Sequence, residues 1–273
     1  MKKIGYVLSG GGARGFAHLG VIKLLEEIGF RPFALAGTSV GAVAGALYAA
    51  GKKPEEILEL MKKRYLAWRN ISWKAGGFFS MDVLKKILED AIGENNFKVL
   101  KVKLFVAATD LIAGQPVIFS KGRLFEAIIA SASIPVIFEP VSMGNKLLVD
   151  GGVMNNFPVE PLIKICDVII GSDVNNTGQG MGNQSRPLKT FNVLDRCFHL
   201  AIANTLYHKV RKCDVFIQTP LDNYDMYDIK NADTIFETGY HTALLHKEKL
   251  KSLIVEDVGR YDHATRWHEN GDF

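Results

Sequence analysis

Apolar and polar residues form alternating blocks along this chain, and the blocks predict strands and helices in turn. Largely apolar runs such as residues 4–9 and 168–171 are typical of strands buried on both faces of a sheet. Between such runs, apolar residues recur three or four positions apart, as in residues 81–92, which is the spacing of a helix. The alternation predicts an α/β fold of three α/β/α layers with a mainly parallel central sheet.

The same patterns predict the remaining elements. Further strands are expected at residues 33–36, 104–109, 116–119, 147–149 and 215–218, and helices at 18–27, 40–50, 55–66, 124–132, 158–165, 194–210 and 232–253. The polar, glycine-rich residues 172–187 are expected to form a mobile loop. Nothing resembles a linker or an internal repeat, so we expect a single domain over residues 1–255 and a polar C-terminal tail over residues 256–273.

Composition and charge narrow the function classes. With 48% hydrophobic and 23% charged residues among 273, the chain has enough apolar side chains for a large core. Its net charge of +4 comes without a long run of Lys or Arg, so no nucleic-acid partner is expected. Three cysteines without metal-ligand spacing indicate a reduced compartment, and no metal is expected. We expect a cytoplasmic protein with peripheral contact to a membrane surface; the sequence carries no signal for oligomeric state.

The sequence Gly37-Thr38-Ser39-Val40-Gly41 fits the GxSxG pattern of a serine nucleophile. A short apolar strand is predicted before it and a helix of small apolar residues after it. Glycines on both sides allow the sharp turn from strand to helix that exposes such a serine. Ser39 is therefore the candidate nucleophile of a hydrolase.

A second glycine-rich turn, Gly10-Gly11-Gly12-Ala13-Arg14-Gly15, follows the first predicted strand and formally satisfies GxGxxG. A dinucleotide site would need an Asp or Glu at the end of the second strand, but that strand ends in Leu35-Ala36-Gly37. Successive backbone N–H groups at a helix start also bind other anions, including the oxyanion of an acyl-transfer intermediate. This second interpretation fits a serine hydrolase and is favoured here.

Asp150 is the candidate general base of such a hydrolase, although an Asp before two glycines is often only a turn residue. It ends a predicted strand and is followed by Gly151 and Gly152, which leave space around the carboxylate. Among the seven histidines, His18 lies in an apolar helix start typical of a packed core residue, and the others lie on predicted helices or in the polar tail. The α/β-hydrolase fold, with Ser, acid and His in chain order, is disfavoured because Ser39 follows only the second strand.

The three motifs together, in this order, resemble the patatin-like phospholipase family, in particular its small bacterial members. Residues 130–135 and 138–140 are also similar to the segment that this family carries between serine and aspartate, although Val136 stands where members often have glycine. The similarity extends from residue 4 to about residue 250. It implies a patatin-like fold and hydrolysis of a lipid ester or phospholipid by a Ser–Asp dyad, without a cofactor.

The resemblance also implies a role for each motif residue. Ser39 is expected to be the nucleophile, Asp150 the general base, and the Gly10, Gly11 and Gly12 backbone the oxyanion hole, joined by the Val40 N–H. Arg14 either supports the loop or attracts a phosphate headgroup. Supporting positions are Gly15, Gly37, Gly41, Gly151 and Gly152. Two alternatives stay open: a catalytically quiet lipid- or acyl-binding regulatory protein on the same scaffold, and a Ser–His–Asp esterase.

One further segment, residues 61–80, combines five Lys and Arg with five aromatic side chains and has no acidic residue. Such a mixture suits contact with an anionic lipid surface. We therefore expect a cap or interfacial patch beside the active site, with inward packing of the aromatic residues as the alternative.

Overall fold

A central mixed sheet flanked by helices forms the core of the molecule, so the predicted α/β class is confirmed. The structure, a computed structural model, describes residues 2–72, 81–175, 206 and 208–253. Three sequence predictions lie outside these residues: most of the loop at 172–187, the greater part of the helix at 194–210, and the tail at 256–273. Within the described residues, no helix combines the length and apolar character needed to cross a bilayer.

The strands follow the order β5-β6-β3-β2-β1-β7-β8, with β4 paired to β3. Pairs along β3-β2-β1-β7-β8 are parallel, whereas the pairs that involve β4, β5 or β6 are antiparallel. Most predicted strands lie within two residues of their observed bounds, but the three-residue β5 was not predicted. The bounds are β1 (Ile4–Leu8), β2 (Ala34–Thr38), β3 (Lys103–Asp110), β4 (Gln115–Phe119), β5 (Val141–Met143), β6 (Lys146–Asp150), β7 (Val168–Asp173) and β8 (Val215–Gln218).

Helices cover both faces of this sheet. Their bounds are α1 (Phe16–Glu27), α2 (Val40–Ala49), α3 (Pro54–Ser72), α4 (Met81–Ile92), α5 (Leu124–Ser131), α6 (Glu160–Ile163) and α7 (Ala232–Leu244). The predicted bounds of α4 match the observed ones. Helix α3 continues beyond its predicted end, α6 is shorter at both ends, and the predicted helix 232–253 is divided by a turn after Leu244.

The alternation of side chains along β1 explains the layers. Tyr6 and Leu8 point into the larger apolar cluster, which α1 and α2 cover, while Val7 joins a second cluster on the opposite face. Helix α6 contributes Leu162 to that second cluster. Because successive strand residues point to opposite faces, a continuous apolar strand requires cover on both sides.

The sheet register brings two strand ends to one edge. Thr38, the last residue of β2, pairs with Ala107 of β3, and the next residue, Ala108, pairs with Asp150 of β6. The residue that follows Thr38 is Ser39. Since β3 joins both pairings, the strand ends that carry Ser39 and Asp150 meet at the same edge of the sheet.

Candidate active site

Ser39 occupies a sharp turn between β2 and α2. Its φ of 53° and ψ of −124° lie in a region that residues other than glycine rarely adopt, and its side chain is 7% exposed. The Ser39 carbonyl accepts hydrogen bonds from Ala42 and Val43 of α2, at 2.9 and 3.1 Å. A strained serine at the start of a helix is the arrangement that the GxSxG pattern predicts.

Close backbone packing under this turn requires glycine at position 41. A Cβ atom on Gly41 would lie 2.4 Å from the carbonyl oxygen of Leu8. Any larger residue would push α2 away from the end of β1 and move Ser39 with it. The supporting glycines of the other motifs also face close neighbours: Gly15 faces Val40, Gly37 faces Gly41, and Gly151 faces Ala107 and Thr38.

Asp150 ends β6 beside this turn and is only 3% exposed. Its Oδ1 accepts a hydrogen bond of 2.7 Å from the Gly152 N–H. Burial raises the pKa of Asp150 to about 6, while hydrogen bonding by the Ser39 side chain and by Gly152 opposes the rise. The two residues predicted to act together are thus in contact, and the carboxyl has a higher pKa than an ordinary aspartate.

Two serines that sequence reasoning gave no role hold the backbone at both positions. The Ser39 N–H donates to Ser131 Oγ at 2.8 Å, and the Ser131 hydroxyl donates to the Ala107 carbonyl at 2.6 Å. The Asp150 N–H donates to the carbonyl of Ser133 at 2.8 Å. The only signal in the sequence was the family resemblance of residues 130–135, which assigns no role to either serine.

The first glycine-rich turn lies against Ser39. A Cβ atom on Gly10 would be 3.1 Å from the Ser39 Cβ and 2.4 Å from Asn156 Oδ1. The Gly10 N–H donates to the Asn156 carbonyl at 3.3 Å. Gly12 has a φ of 58° and, with Val40, lines the cavity beside Ser39. The loop therefore has its backbone beside the candidate nucleophile.

Arg14 lies at the base of this loop. Its Nε–H donates to the carbonyl of Gly11 at 3.4 Å. Such a hydrogen bond within the loop is the kind of contact expected if Arg14 supports the loop.

His18 is buried beneath the same loop. A carbonyl oxygen only accepts, so the contact of 2.9 Å between Nε2 and the Ser9 carbonyl requires the ring proton on Nε2. Nδ1 then accepts from the Ser172 hydroxyl at 2.8 Å. Burial lowers the pKa of His18 to about 4, against a weaker raising effect of the Ser9 hydrogen bond. His18 is a core histidine, and neither ring nitrogen is directed at Ser39. His199, His263 and His268 lie outside the described residues.

An apolar cavity of about 180 Å³ opens beside Ser39. Its walls come from α2, α3, α4 and the segment after α5. Representative lining residues are Val43, Met61, Leu84, Ile87, Ile134 and Phe138. Such a cavity suits an acyl chain, whose burial is favourable by about 0.8 kcal/mol per methylene group. Among the residues that the structure describes, no cluster of His, Cys, Asp and Glu has a metal-binding arrangement.

The basic and aromatic segment at residues 61–80 is described only in part. Met61 lines the cavity, and Lys62 forms an ion pair of 2.6 Å with Asp233 of α7. Lys62 is thus engaged within the protein. The side chains of residues 64–80, including every aromatic residue of the segment, lie outside the described residues.

Comparisons with known proteins show which family and which relatives this chain resembles. A family model described as patatin-like phospholipase matches residues 6–163. An uncharacterized NTE family protein of Mycobacterium tuberculosis is 33% identical over 71% of this chain and 55% of its own length. A lysophospholipase nte1 of Emericella nidulans is 27% identical over 92% of this chain but only 18% of its own length. The chain thus spans about half or less of these relatives.

The fold is also similar to that of solved structures. VipD from Legionella pneumophila aligns with a TM-score of 0.54 and 15% identity, over 92% of this chain and 67% of that protein. At this identity the likeness concerns the fold alone.

Proposed function

The chain belongs to the patatin-like phospholipase family, and from this we propose that it is a lipid acyl hydrolase that uses a Ser39–Asp150 dyad. One observation carries the proposal: Ser39 lies in a strained turn, in contact with a buried carboxyl, at the wall of an apolar cavity. Each part has a use in ester hydrolysis. The cavity takes the acyl chain, the serine attacks its carbonyl carbon, and the carboxylate accepts the proton.

The reaction proceeds in two steps. Ser39 Oγ bonds to the ester carbonyl carbon while its proton moves to Asp150, and the tetrahedral intermediate collapses as Asp150 returns that proton to the departing alcohol. A water molecule then gives a proton to Asp150 and attacks the acyl-enzyme. Collapse of this second intermediate breaks the ester bond to Ser39, whose oxygen takes the proton back.

The raised pKa of Asp150 strengthens this chemistry. An aspartate at its ordinary pKa of about 3.8 is a weak base for a serine hydroxyl. Burial raises the pKa of Asp150 to about 6, so the carboxylate accepts the proton more readily and is still ionised at neutral pH. The buried site thus makes an aspartate usable where many hydrolases employ histidine.

Backbone N–H groups around Ser39 supply the oxyanion hole in this proposal. The Gly10 N–H already donates to the Asn156 carbonyl, so its part is to shape the turn. Gly11 and Gly12, together with Val40 at the start of α2, supply the donors. Each such donor is worth about 3 to 4 kcal/mol of barrier lowering when it is fixed in place.

The substrate is a carboxylic ester with a long acyl chain. The apolar cavity supports this class, and the fungal relative named lysophospholipase makes a single-chain phospholipid the first candidate. Esters are favoured over amides because an alcohol leaves more readily than an amine.

A lipid surface is the proposed source of this substrate. Ile112 is 70% exposed and Val136 80% exposed. Ile112 follows the end of β3, at the Ser39 edge of the sheet, and Val136 lies between two cavity-lining residues, Ile134 and Phe138. Their insertion into the lipid interface would bury apolar surface that the fold leaves in water.

Flotation of Ile112→Ser with phospholipid vesicles tests this contact. Weaker flotation than wild type is expected, while the control Phe33→Ser, directly before β2 and hence at the opposite edge, floats like wild type.

Fatty-acid release from lysophosphatidylcholine, phosphatidylcholine and a monoacylglyceride tests the hydrolase proposal. Release from at least one substrate is expected with wild type and is expected to fall at least about 1,000-fold in folded Ser39→Ala. A regulator that only binds acyl chains would release none, and release that persists in Ser39→Ala would contradict the assignment of the nucleophile. Loss of activity on substitution of a histidine rather than of Asp150 would favour the Ser–His–Asp alternative.

A further inference from the structure

Two asparagine side chains converge on one carbonyl group next to Ser39. The Gly10 carbonyl oxygen accepts 2.7 Å from Asn175 Nδ2 and 3.4 Å from Asn156 Nδ2. All three groups are buried. Asn175 follows β7 by two residues and lies in none of the sequence motifs.

The orientation of the Asn175 amide follows from its neighbours. Nδ2 faces the Gly10 carbonyl and, at 3.1 Å, Asp173 Oδ1, and both of these groups accept hydrogen bonds. A flipped amide would put its own oxygen against both acceptors. Asn175 therefore donates, and Gly10 is held as the acceptor.

Asp173 in turn is held by Gln218. Gln218 Nε2 donates to Asp173 Oδ2 at 3.1 Å and to the Asn175 carbonyl at 3.0 Å. These contacts join the ends of β7 and β8, two rigid strands, to the Gly10 carbonyl. The glycine-rich loop is thus anchored to the sheet through Asn175.

Fixing the Gly10 carbonyl also fixes the N–H of Gly11, because both groups belong to one planar peptide. The described residues contain no cis peptide bond, so the Gly11 N–H points opposite to the Gly10 carbonyl. The carbonyl points to the asparagines, and Gly10 itself packs against Ser39. The N–H of Gly11 accordingly points away from the amide groups of Asn175 and Asn156.

We propose that Asn175, anchored by Asp173, is a positioning residue that aims the Gly11 N–H at the oxyanion of the reaction. The proposal rests on the acyl hydrolase function. Asn175 does not touch the substrate; it acts through the orientation of one peptide group. A preorganised donor contributes to the transition state and little to the bound ester, so kcat is the quantity that Asn175 controls.

The test compares Asn175→Ala with the matched truncation Asn95→Ala. Asn95 accepts from the Phe125 N–H at the start of α5 and donates to Glu126, away from the glycine loop. For a short-chain p-nitrophenyl ester, Asn175→Ala is expected to lower kcat about 10- to 100-fold with KM changed less than about 3-fold, since removal of a whole donor costs 100- to 1,000-fold. Asn95→Ala is expected to lower Tm and leave kcat unchanged. An Asn175→Ala protein that is folded and keeps wild-type kcat would overturn the proposal, as would an equal loss of kcat in the Asn95→Ala control.

The wild-type protein provides a second test that requires no variant to fold. After phosphonylation of Ser39 by an alkyl fluorophosphonate, a crystal structure is expected to show the phosphoryl oxygen within about 3.2 Å of the Gly11 nitrogen. A phosphoryl oxygen turned away from Gly11 would contradict the role of Asn175. Failure of the hydrolase proposal itself has a different signature, because wild type would then neither hydrolyse the ester nor react at Ser39.

Discussion

The backbone N–H of Ser39 donates a hydrogen bond of 2.8 Å to the hydroxyl oxygen of Ser131, a side chain 92 residues later in the chain. The Ser131 hydroxyl in turn donates a hydrogen bond to the Ala107 carbonyl. In this way the strained Ser39 turn is tied to β3, the strand that also pairs with Asp150. The geometry of the proposed dyad therefore depends on a residue outside both motifs.

Ser131→Ala is expected to reduce both stability and rate. It leaves the Ser39 N–H and the Ala107 carbonyl buried without their partner, which costs about 1–3 kcal/mol for each group. Relaxation of the turn also displaces the Ser39 hydroxyl, so kcat is expected to fall by about 10-fold or more. Urea unfolding and ester hydrolysis measure the two effects. Ser142→Ala, at an exposed position of β5, is the control and should change neither.

Asp150→Asn is expected to stabilise the fold at neutral pH. Burial raises the pKa of Asp150 to about 6, above its ordinary 3.8, so the folded state holds this proton more tightly than the unfolded state. The contribution of Asp150 to stability is therefore complete below pH 3.8 and is lost as the pH rises through about 6. At pH 8 the ionised carboxylate costs about 3 kcal/mol, which asparagine removes.

Unfolding free energies at pH 5, 6, 7 and 8 measure this effect. The stability advantage of Asp150→Asn over wild type should grow from pH 5 to pH 8. Asp167→Asn, which changes an exposed carboxylate, is the control. An advantage that is independent of pH would mean that the Asp150 carboxylate is not destabilised by burial.

The pH dependence of the rate follows from the same group. Asp150 must be ionised to accept the Ser39 proton, so kcat/KM for a water-soluble ester should rise with pH and level off above an apparent pKa of about 6. The pKa of a carboxyl group changes little with temperature, because its ionisation involves little heat. The pKa of an imidazole falls markedly on heating. The midpoint of the pH–rate profile should hence stay nearly constant between about 15 and 35 °C. A midpoint that falls steadily on heating would indicate a histidine base.

Val136→Gly is expected to stabilise the protein by about 1 kcal/mol. Val136 has a φ of 74°, a left-handed conformation that costs an L-residue about 1–2 kcal/mol, and a β-branched side chain fits it poorly. Glycine adopts this conformation freely, although its unfolded chain has greater entropy, which offsets part of the gain. Urea unfolding measures the difference. Ile112→Gly, an exposed apolar residue without positive φ, should give no gain, and a destabilised Val136→Gly would contradict the strain argument.

The sequence predicted the main architecture because its signals are local. Continuous apolar strands, helical spacing and glycine-rich turns depend on neighbouring residues, and they were sufficient for the α/β class and for most element bounds. Strand β5 was not predicted because three residues carry too little pattern. The division of helix 232–253 after Leu244 was missed for a related reason, since the apolar spacing continues through the turn.

The candidate site was predictable only as far as its motifs extend. Ser39 and Asp150 stand in recognisable patterns, and their contact follows once β3 pairs with both strands. Ser131 and Asn175 act through single hydrogen bonds to backbone groups that are distant in sequence. No local pattern marks such bonds, because they depend on the register of the whole sheet.

Covalent labelling by an alkyl fluorophosphonate tests the central claim, the Ser39–Asp150 dyad, most directly. Mass spectrometry of peptides should find one adduct, on Ser39, in wild type. In Asp150→Asn, folded at the same pH, the rate of adduct formation should fall by at least about 100-fold, because the serine has lost its base. Labelling of folded Asp150→Asn at the wild-type rate, or labelling of a residue other than Ser39, would contradict the dyad.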